Sequence, residues 1–384
     1  MKFFALAILA TTAATPVFAQ TYAKGTRVGG VSISGLNQTE ATRRLKRELT
    51  PKLERKIDLV VGTKKVERRR SDLGFSLDLG KVLAQAKSQQ EVPVAFNVDA
   101  STASRALKRL KDDFDVASRE ARPVYFQEKV QIRPEVVGKK LNPSTSAARL
   151  KIEAEKTPTQ TRFSLAATDI KPKVTRADLK GIDAVLSTYT TRFNPGKIGR
   201  TENIRVALES LDGKVIPDGK TFSLNNAVGE RTAARGYKEA IIFEYGKEKK
   251  GLGGGVSQIT GTLFNAALEA GLPIVTYRTH SRPVAYISLG RDATVAWGGF
   301  DNKWKNDTGA PIYISYQIKG RTRLRATLFG KETGRTTKIR VTSKRNGPRD
   351  IRANLYRVIY KDGKVVKSGK VGSSHYNWKA DDAD

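Results

Sequence analysis

Apolar positions in residues 24–155 recur in two rhythms, and the pair of rhythms occurs twice. In LNQTEATRRLKRELT (36–50), Leu36, Ala41, Leu45 and Leu49 fall at helical spacing, with Thr39 placed as N-cap. VDASTASRALKRLKDDF (98–114) repeats the pattern through Ala103, Leu107 and Leu110, with Ser101 in the capping place. An alternating run follows each helix, KIDLVV (56–61) and RPVYFQ (122–127), and predicts a strand. DLGFSLDLGKVLAQA (72–86) and EVVGKKLNPSTSAARLKIEA (135–154) then close the two copies. Gly74 and Gly138 are 64 residues apart, and Thr39 and Ser101 are 62 apart. Matching offsets favour a duplication. Each copy reads as helix, strands, turn, helix.

Residues 156–178 read as a strand and a linker. Residues 179–310 are richer in glycine and hold dense polar motifs. Within them RTENIRVALESLDGKVIPDGKTF (200–222) reads as a helix capped by Thr201, with Ile204, Ala207 and Leu208 inward, then a turn and a strand. FSLNNAVGERTAARGYKEA (222–240) reads as a shaped loop around Arg231. Residues 311–378 alternate in strand fashion, and Asp362-Gly363 between two such runs is a hairpin signal. The fold class expected is α+β: a duplicated α+β front domain (24–170), then a mixed α/β domain (179–378) ending in a small antiparallel sheet.

The first 19 residues change the compartment. Lys2, the apolar run from Phe3 to Ala14, and Val17 and Ala19 fit a cleaved export signal, with Gln20 as the first mature residue. The run is too short to span a bilayer, and no later stretch reaches the roughly 18 apolar residues a span needs. The mature protein is expected in the periplasm, envelope or extracellular space, without a transmembrane segment.

Charge and composition narrow the chemistry. The 384 residues hold 70 Lys+Arg against 38 Asp+Glu, a net charge of +32. That excess implies an anionic neighbour: wall polymer, lipid headgroup or nucleic acid. Basic runs such as RRLKRELTPKLERK (43–56) and KVERRR (65–70) lack interleaved aromatics, so they read as solvated faces, and no nucleic-acid-binding motif occurs. Bulk charge alone would give only sequence-blind, salt-sensitive attraction to nucleic acid. The chain has no Cys and two His, which excludes thiolate nucleophiles, disulfides and multi-histidine metal clusters. No cofactor or metal is expected.

GLGGGVSQITGTLFNAALEAG (251–271) carries the densest signal. The glycine run feeds a helix in which Ile259, Leu263, Ala266 and Ala267 have apolar spacing, and Gly271 is placed to end it. A glycine loop at a helix N-terminus offers backbone N–H groups to an anion. Ser257 at its start is either the N-cap or a nucleophile. As nucleophile it needs His280 as base and Asp292 as orienter, in the chain order of papain-like enzymes, though a serine lacks a thiol's easy ionisation. Arg282 and Arg291 are suited to clamping carboxylate or phosphate, or to internal Arg–Asp pairing. Trp297, Phe300 and Trp304 are either core or a platform for a sugar face.

NIRVALESLDGKVIPDGKTFSLNNAVGERTAARGYKEA, GLGGGVSQITGTLFNAAL, HSRPVAY and GRDATVAWG, in this order, resemble the VanW family over about 180–330. The family is named for a protein associated with vancomycin-resistance clusters. The duplicated front region is similar to the peptidoglycan-binding domain that often precedes VanW domains, and YRVIYKDGKVVKSG resembles the usual end of the VanW module. The resemblance implies an envelope protein that binds or acts on peptidoglycan. The family commonly carries Cys after the glycines, and here Ser257 stands there, in Gly253-Gly254-Gly255-Val256-Ser257-Gln258. A binder of peptidoglycan or another anionic wall polymer is therefore expected, through Gly253, Gly254, Gly255, Gln258, Arg231, Arg282 and Arg291. The alternative is a stem-peptide hydrolase or transpeptidase using Ser257, His280 and Asp292.

Overall fold

The computed structural model describes residues 20–244 and 247–378. The expected export signal at 1–19 lies outside the described residues. The doubled rhythm is realised as a doubled order of elements. The first copy runs α1 (Gln38–Leu49), β1 (Lys56–Val61), β2 (Lys64–Arg69) and α2 (Leu79–Gln85). The second runs α3 (Ala100–Arg109), β3 (Arg122–Phe126), β4 (Lys129–Arg133) and α4 (Pro143–Lys156). Ala41, Leu45 and Leu49 of α1 and Ala103 and Leu107 of α3 are buried, as the spacing predicts. The caps differ from expectation. Asn37 and Asp99, two residues earlier than Thr39 and Ser101, accept from the backbone of Glu40 and Thr102. A carboxylate or amide oxygen two residues further back reaches the third helical N–H, which Thr39 and Ser101, already helical, cannot.

The chain divides into two compact units, one of residues up to Ala117 with Val137–Lys171, the other of Ser118–Val136 with Pro172 onward. In the first, β1 pairs with β2 and, in parallel, with Arg162–Ser164. Ile57, Leu59 and Val61 from β1 meet Leu107 of α3 and Leu150 of α4 in its core. The β3–β4 hairpin lies inside the expected 24–170 segment but belongs to the second unit, where Val130 and Ile132 pack beside Tyr313 and Phe329.

The second unit is built on a four-stranded antiparallel sheet, in the order β5 (Ala184–Arg192), β10 (Arg323–Gly330), β9 (Ile312–Lys319) and β6 (Val215–Ile216). Helix α5 (Ile198–Leu211) supplies Ile204, Ala207 and Leu211 to the core over that sheet. Thr201 lies inside α5 rather than capping it, because the helix begins three residues earlier. The 222–240 stretch is more regular than expected: Leu224–Val228 forms one short helix capped by Ser223. A two-stranded hairpin follows, β7 (Glu239–Glu244) with β8 (Lys247–Leu252). Helix α6 (Val256–Glu269) comes next, and its residues from Gln258 to Leu268 are all buried. A helix buried on all sides marks the centre of a domain, and its polar members Gln258, Thr260, Thr262 and Asn265 all find hydrogen-bond partners. Gly271, at φ +74°, ends α6, with Leu272 N–H bonded to Ala267 O and Gly271 N–H to Leu268 O.

The runs at 312–319 and 323–330 join the four-stranded sheet rather than the tail. The C-terminal sheet proper is β11 (Arg335–Gly347), β12 (Asp350–Lys361) and β13 (Lys364–Asn377). Asp362 and Gly363 both take positive φ between β12 and β13, as the hairpin signal predicts. The buried Arg357 of β12 donates to Leu268 O and Leu272 O, which places a cation at the C-terminal end of α6. No helix among the described residues is long and apolar enough to cross a membrane.

Candidate functional site

The glycine run is fixed by close contact. Gly253 (φ +84°) and Gly255 (φ +111°) occupy left-handed backbone that only glycine takes without strain. A Cβ on Gly254 would lie 2.4 Å from the carbonyl oxygen of Ile241, so the loop is pressed against β7. The buried Asn203 of α5 staples the two together. Its Nδ2 donates to Gly254 O (3.0 Å) and Lys238 O (2.9 Å), and its Oδ1 accepts from Lys238 N–H (2.7 Å). Gly255 occupies the cap position of α6, with no side chain capping the helix. Among the described residues, no acceptor takes the N–H groups of Gly254, Gly255 or Ser257, which leaves them for an anionic oxygen or water.

Ser257 is the second residue of α6 and so is not its N-cap. Its Oγ lies 3.0 Å from Thr294 Oγ1, and it makes no hydrogen bond to His280. Gln258 points the other way, into the core. Its Nε2 donates to Thr191 Oγ1 and Arg192 O, and its Oε1 accepts from Arg200 (2.8 Å), so the whole amide is engaged internally.

His280 and Asp292 are brought together and buried. One oxygen, Asp292 Oδ2, meets both the His280 backbone N–H and ring Nδ1 at 2.8 Å. The other, Oδ1, accepts from the Tyr376 hydroxyl, which itself accepts from Gly290 N–H at 2.6 Å. Burial, reinforced by the Asp292 carboxylate, pushes the Tyr376 phenol well above its ordinary range. His280 Nε2 makes no hydrogen bond among the described residues, and the ring lies edge-on to Phe243 at 6.0 Å. The pair has the form in which a carboxylate orients an imidazole and leaves its far nitrogen for a ligand.

The arginines part company. Arg231 lies against Gly253, donates to Gly229 O (3.0 Å), and leaves Nη2 buried without a partner. Burial lowers its pKa, as it does that of Arg200, whose stem lies over Gly255 and whose guanidinium sits 5.7 Å from the Tyr286 ring. Arg282 lies over Phe243 (5.2 Å) and 3.6 Å from Glu248. Arg291 is not brought to the glycine loop. Its Nε donates to Asn265 Oδ1 (2.7 Å) and its Nη2 to Glu269 (2.6 Å), which lie about 15 and about 21 Å along α6 from Gly255 at 1.5 Å per residue. The internal pairing the sequence allowed thus occurs, but with Glu269 and not with an aspartate.

Two grooves flank this centre. One, of about 660 Å³, runs between the β7–β8 hairpin and residues 282–286, over the first turn of α5. Ile198, Ile241, Phe243 and Val284 give it apolar walls, and Lys197, Arg200 and Lys250 give it cations. The other, of about 860 Å³, includes Arg278, His280, Phe300 and His375. Of the three clustered aromatics, Trp304 is core, stacked on Phe222 at 4.8 Å, while Trp297 and Phe300 remain 49% and 43% exposed.

Sequence reasoning missed Asn203, Thr294, Tyr376 and Arg200. Asn203 carried a signal: it lies four and eight residues before Ala207 and Leu211, on the buried stripe of α5. A polar residue on that stripe must find partners. Tyr376 is 84 residues from Asp292 and had no local signal.

Residues 199–329 match the family described as "VanW like protein", and residues 54–162 match the one described as "Putative peptidoglycan binding domain". The chain is similar to the uncharacterized protein YoaR of Bacillus subtilis, 43% identical over 147 residues, which is 38% of this chain and 48% of YoaR. It is similar also to the vancomycin B-type resistance protein VanW of Enterococcus faecalis, 31% identical over 142 residues, 35% of this chain and 50% of that protein. The chain spans about half the length of the curated relatives it matches. No solved structure matches it.

Proposed function

We propose, for a chain that carries a VanW-like domain behind a domain of the peptidoglycan-binding type, that it is an exported, non-catalytic binder of peptidoglycan stem peptides. Both matched families support a cell-wall-associated role. The observation that carries the choice of binding is that the Ser257 hydroxyl is paired with Thr294 at 3.0 Å and makes no hydrogen bond to His280, as catalysis would need. The groove beside the hairpin is the binding place. Its apolar walls suit small aliphatic side chains, and Lys197 and Lys250 suit the carboxylates of a wall peptide. The charge of +32 adds salt-sensitive attraction, and the groove adds the salt-resistant part.

The test is co-sedimentation of the chain from Gln20 with purified sacculi at low and high salt. Retention at high salt is expected, and Ile241→Glu, on an exposed groove wall, is expected to abolish it while low-salt retention persists. Equal retention of the variant at high salt would remove the groove from the function.

One observation favours a second reading, a stem-peptide hydrolase or transpeptidase. His280 is oriented by Asp292 with its far nitrogen unpartnered, as a general base would be. Ser257 would be the nucleophile. Release of soluble muropeptides from sacculi, lost in His280→Gln, would establish it.

A further inference from the structure

The second groove holds features that stem-peptide binding does not use. The segment Trp297-Gly298-Gly299-Phe300 is a short loop closed by the Ala296 N–H bonding Phe300 O at 2.9 Å. It is clamped from behind. Asn225 Nδ2 donates to Ala296 O (3.0 Å) and Phe300 O (2.9 Å). Asp301, just after the loop, accepts from Ser223 Oγ (2.6 Å) and Asn225 N–H (3.0 Å). Gly298, at φ +72°, makes the turn. A loop held this firmly could bury its aromatics at no cost in order, as the same stretch does with Trp304. Instead Trp297 and Phe300 stay exposed.

Around Phe300 the groove is polar. The Arg278 guanidinium lies over one face of the Phe300 ring, 4.0 Å from its centre, and Asp301, Lys303, Ser373 and both histidines of the chain, His280 and His375, also line the groove. A rigid exposed aromatic beside imidazole, hydroxyl and guanidinium groups is what a pyranose ring requires. Its apolar C–H face lies on the aromatic ring while its hydroxyls and acetamido groups take in-plane hydrogen bonds.

We propose that the Trp297–Phe300 loop and the groove beside it form a saccharide subsite that takes N-acetylated sugars of a glycan strand. The proposal rests on the wall-binding reading and adds to it a second ligand half. The sugar is held here and the peptide at the β7–β8 hairpin. His280 touches both places, with Phe243 of the hairpin on its ring and its own side lining the sugar groove.

The experiment uses the two halves separately, the β-1,4-linked N-acetylglucosamine tetramer and a free stem pentapeptide, each titrated calorimetrically into the chain from Gln20. The tetramer is expected to bind, and Phe300→Ala and Trp297→Ala are each expected to weaken it by about tenfold or more. Both side chains are exposed, so unchanged circular dichroism and melting confirm folding. Pentapeptide binding is expected to be untouched by either change. No binding of the tetramer, equal binding by both variants, or displacement of the tetramer by a single-stranded oligonucleotide would overturn the subsite. If the tetramer binds and the pentapeptide does not, the peptide groove fails and the saccharide subsite stands.

Discussion

The hydroxyl of Tyr376 donates to Oδ1 of Asp292, so strand β13 holds the carboxylate that holds His280. Oδ2 of the same carboxylate carries the His280 backbone N–H and ring nitrogen. The site is therefore completed only when β13 has closed on the 277–293 segment, which links the C-terminal sheet to the orientation of the histidine.

Tyr376→Phe removes a hydrogen bond to a charged, buried acceptor and leaves Gly290 N–H without its acceptor. A loss of about 1–3 kcal/mol is expected. Urea unfolding of the variant checks it. An unchanged midpoint would show that water takes over the hydroxyl's place.

Arg291, which the sequence left open between clamping a ligand and internal pairing, is engaged internally. Its guanidinium ties the 290–293 turn to Asn265 and Glu269 of α6 and sits 5.1 Å from the Tyr189 ring. Arg291→Met is expected to lower stability by about 1.5–3 kcal/mol, the range for hydrogen bonds to charged groups. Retention on sacculi, measured well below the variant's melting point, is expected to match the parent. Selective loss of retention without loss of stability would return Arg291 to the ligand.

Gly254→Ala tests whether the glycine run is fixed or flexible. The new methyl would lie 2.4 Å from Ile241 O and 2.9 Å from Ala240 Cβ, so β7 or α6 must shift. Overpacking of this kind costs about 1–3 kcal/mol. A neutral result in thermal unfolding would mean the loop moves freely. In that case its N–H groups would not be preorganised for an anion.

The cap of α3 gives the pH dependence. Asp99 accepts from Thr102 and Ser101, and these bonds, led by those from Thr102, bring its carboxyl down to about 2, below the ~3.9 of an unfolded chain. A carboxyl lower in the folded state stabilises above the unfolded value and loses that contribution as pH falls through the folded one. The stabilisation is thus complete above about pH 4 and lost towards about pH 2. A carbon-detected NMR titration should place the Asp99 midpoint near the lower figure, and Asp99→Asn should flatten this part of the acid-stability curve.

Periodicity revealed the helices, because Ala41, Leu45 and Leu49, or Ile259, Leu263 and Ala266, report burial through spacing alone. It also revealed the doubling, which persists in the cap pairs Asn37/Asp99 and Asp78/Asn142. Polar commitments were hidden. Whether Gln258 faces a ligand or the core depends on Thr191, Arg192 and Arg200, residues 58 to 67 positions away. Arg70, the last residue of a basic run read as a solvated face, is buried, donating to Gln160 O and lying over Phe96. The His280–Asp292 pair was legible because its members are 12 residues apart on facing segments, whereas Thr294, which decides the state of Ser257, carried no signal of its own.

Ser257→Cys separates binding from latent chemistry. The side chain sits at the second position of α6, where unpaired N–H groups and the helix dipole favour an anion, so a thiol there is expected to ionise below its ordinary ~8.5. The pH dependence of iodoacetamide alkylation measures this directly, since the chain has no other thiol. A midpoint at or above ~8.5 would show that the field of the helix does not reach position 257, and the anion-binding role of the glycine loop would fail with it. With a lowered midpoint, the partner decides the rest. In the parent, Thr294 holds the residue at 3.0 Å, so Ser257→Cys alone is expected to alkylate without cleaving sacculi. Adding Thr294→Val removes that partner and leaves His280, oriented by Asp292, as the candidate base. Muropeptide release by the double variant, abolished by His280→Gln, would mean that one hydroxyl pair keeps a catalytic arrangement silent. Absence of release would mean that His280 serves the ligand rather than a nucleophile.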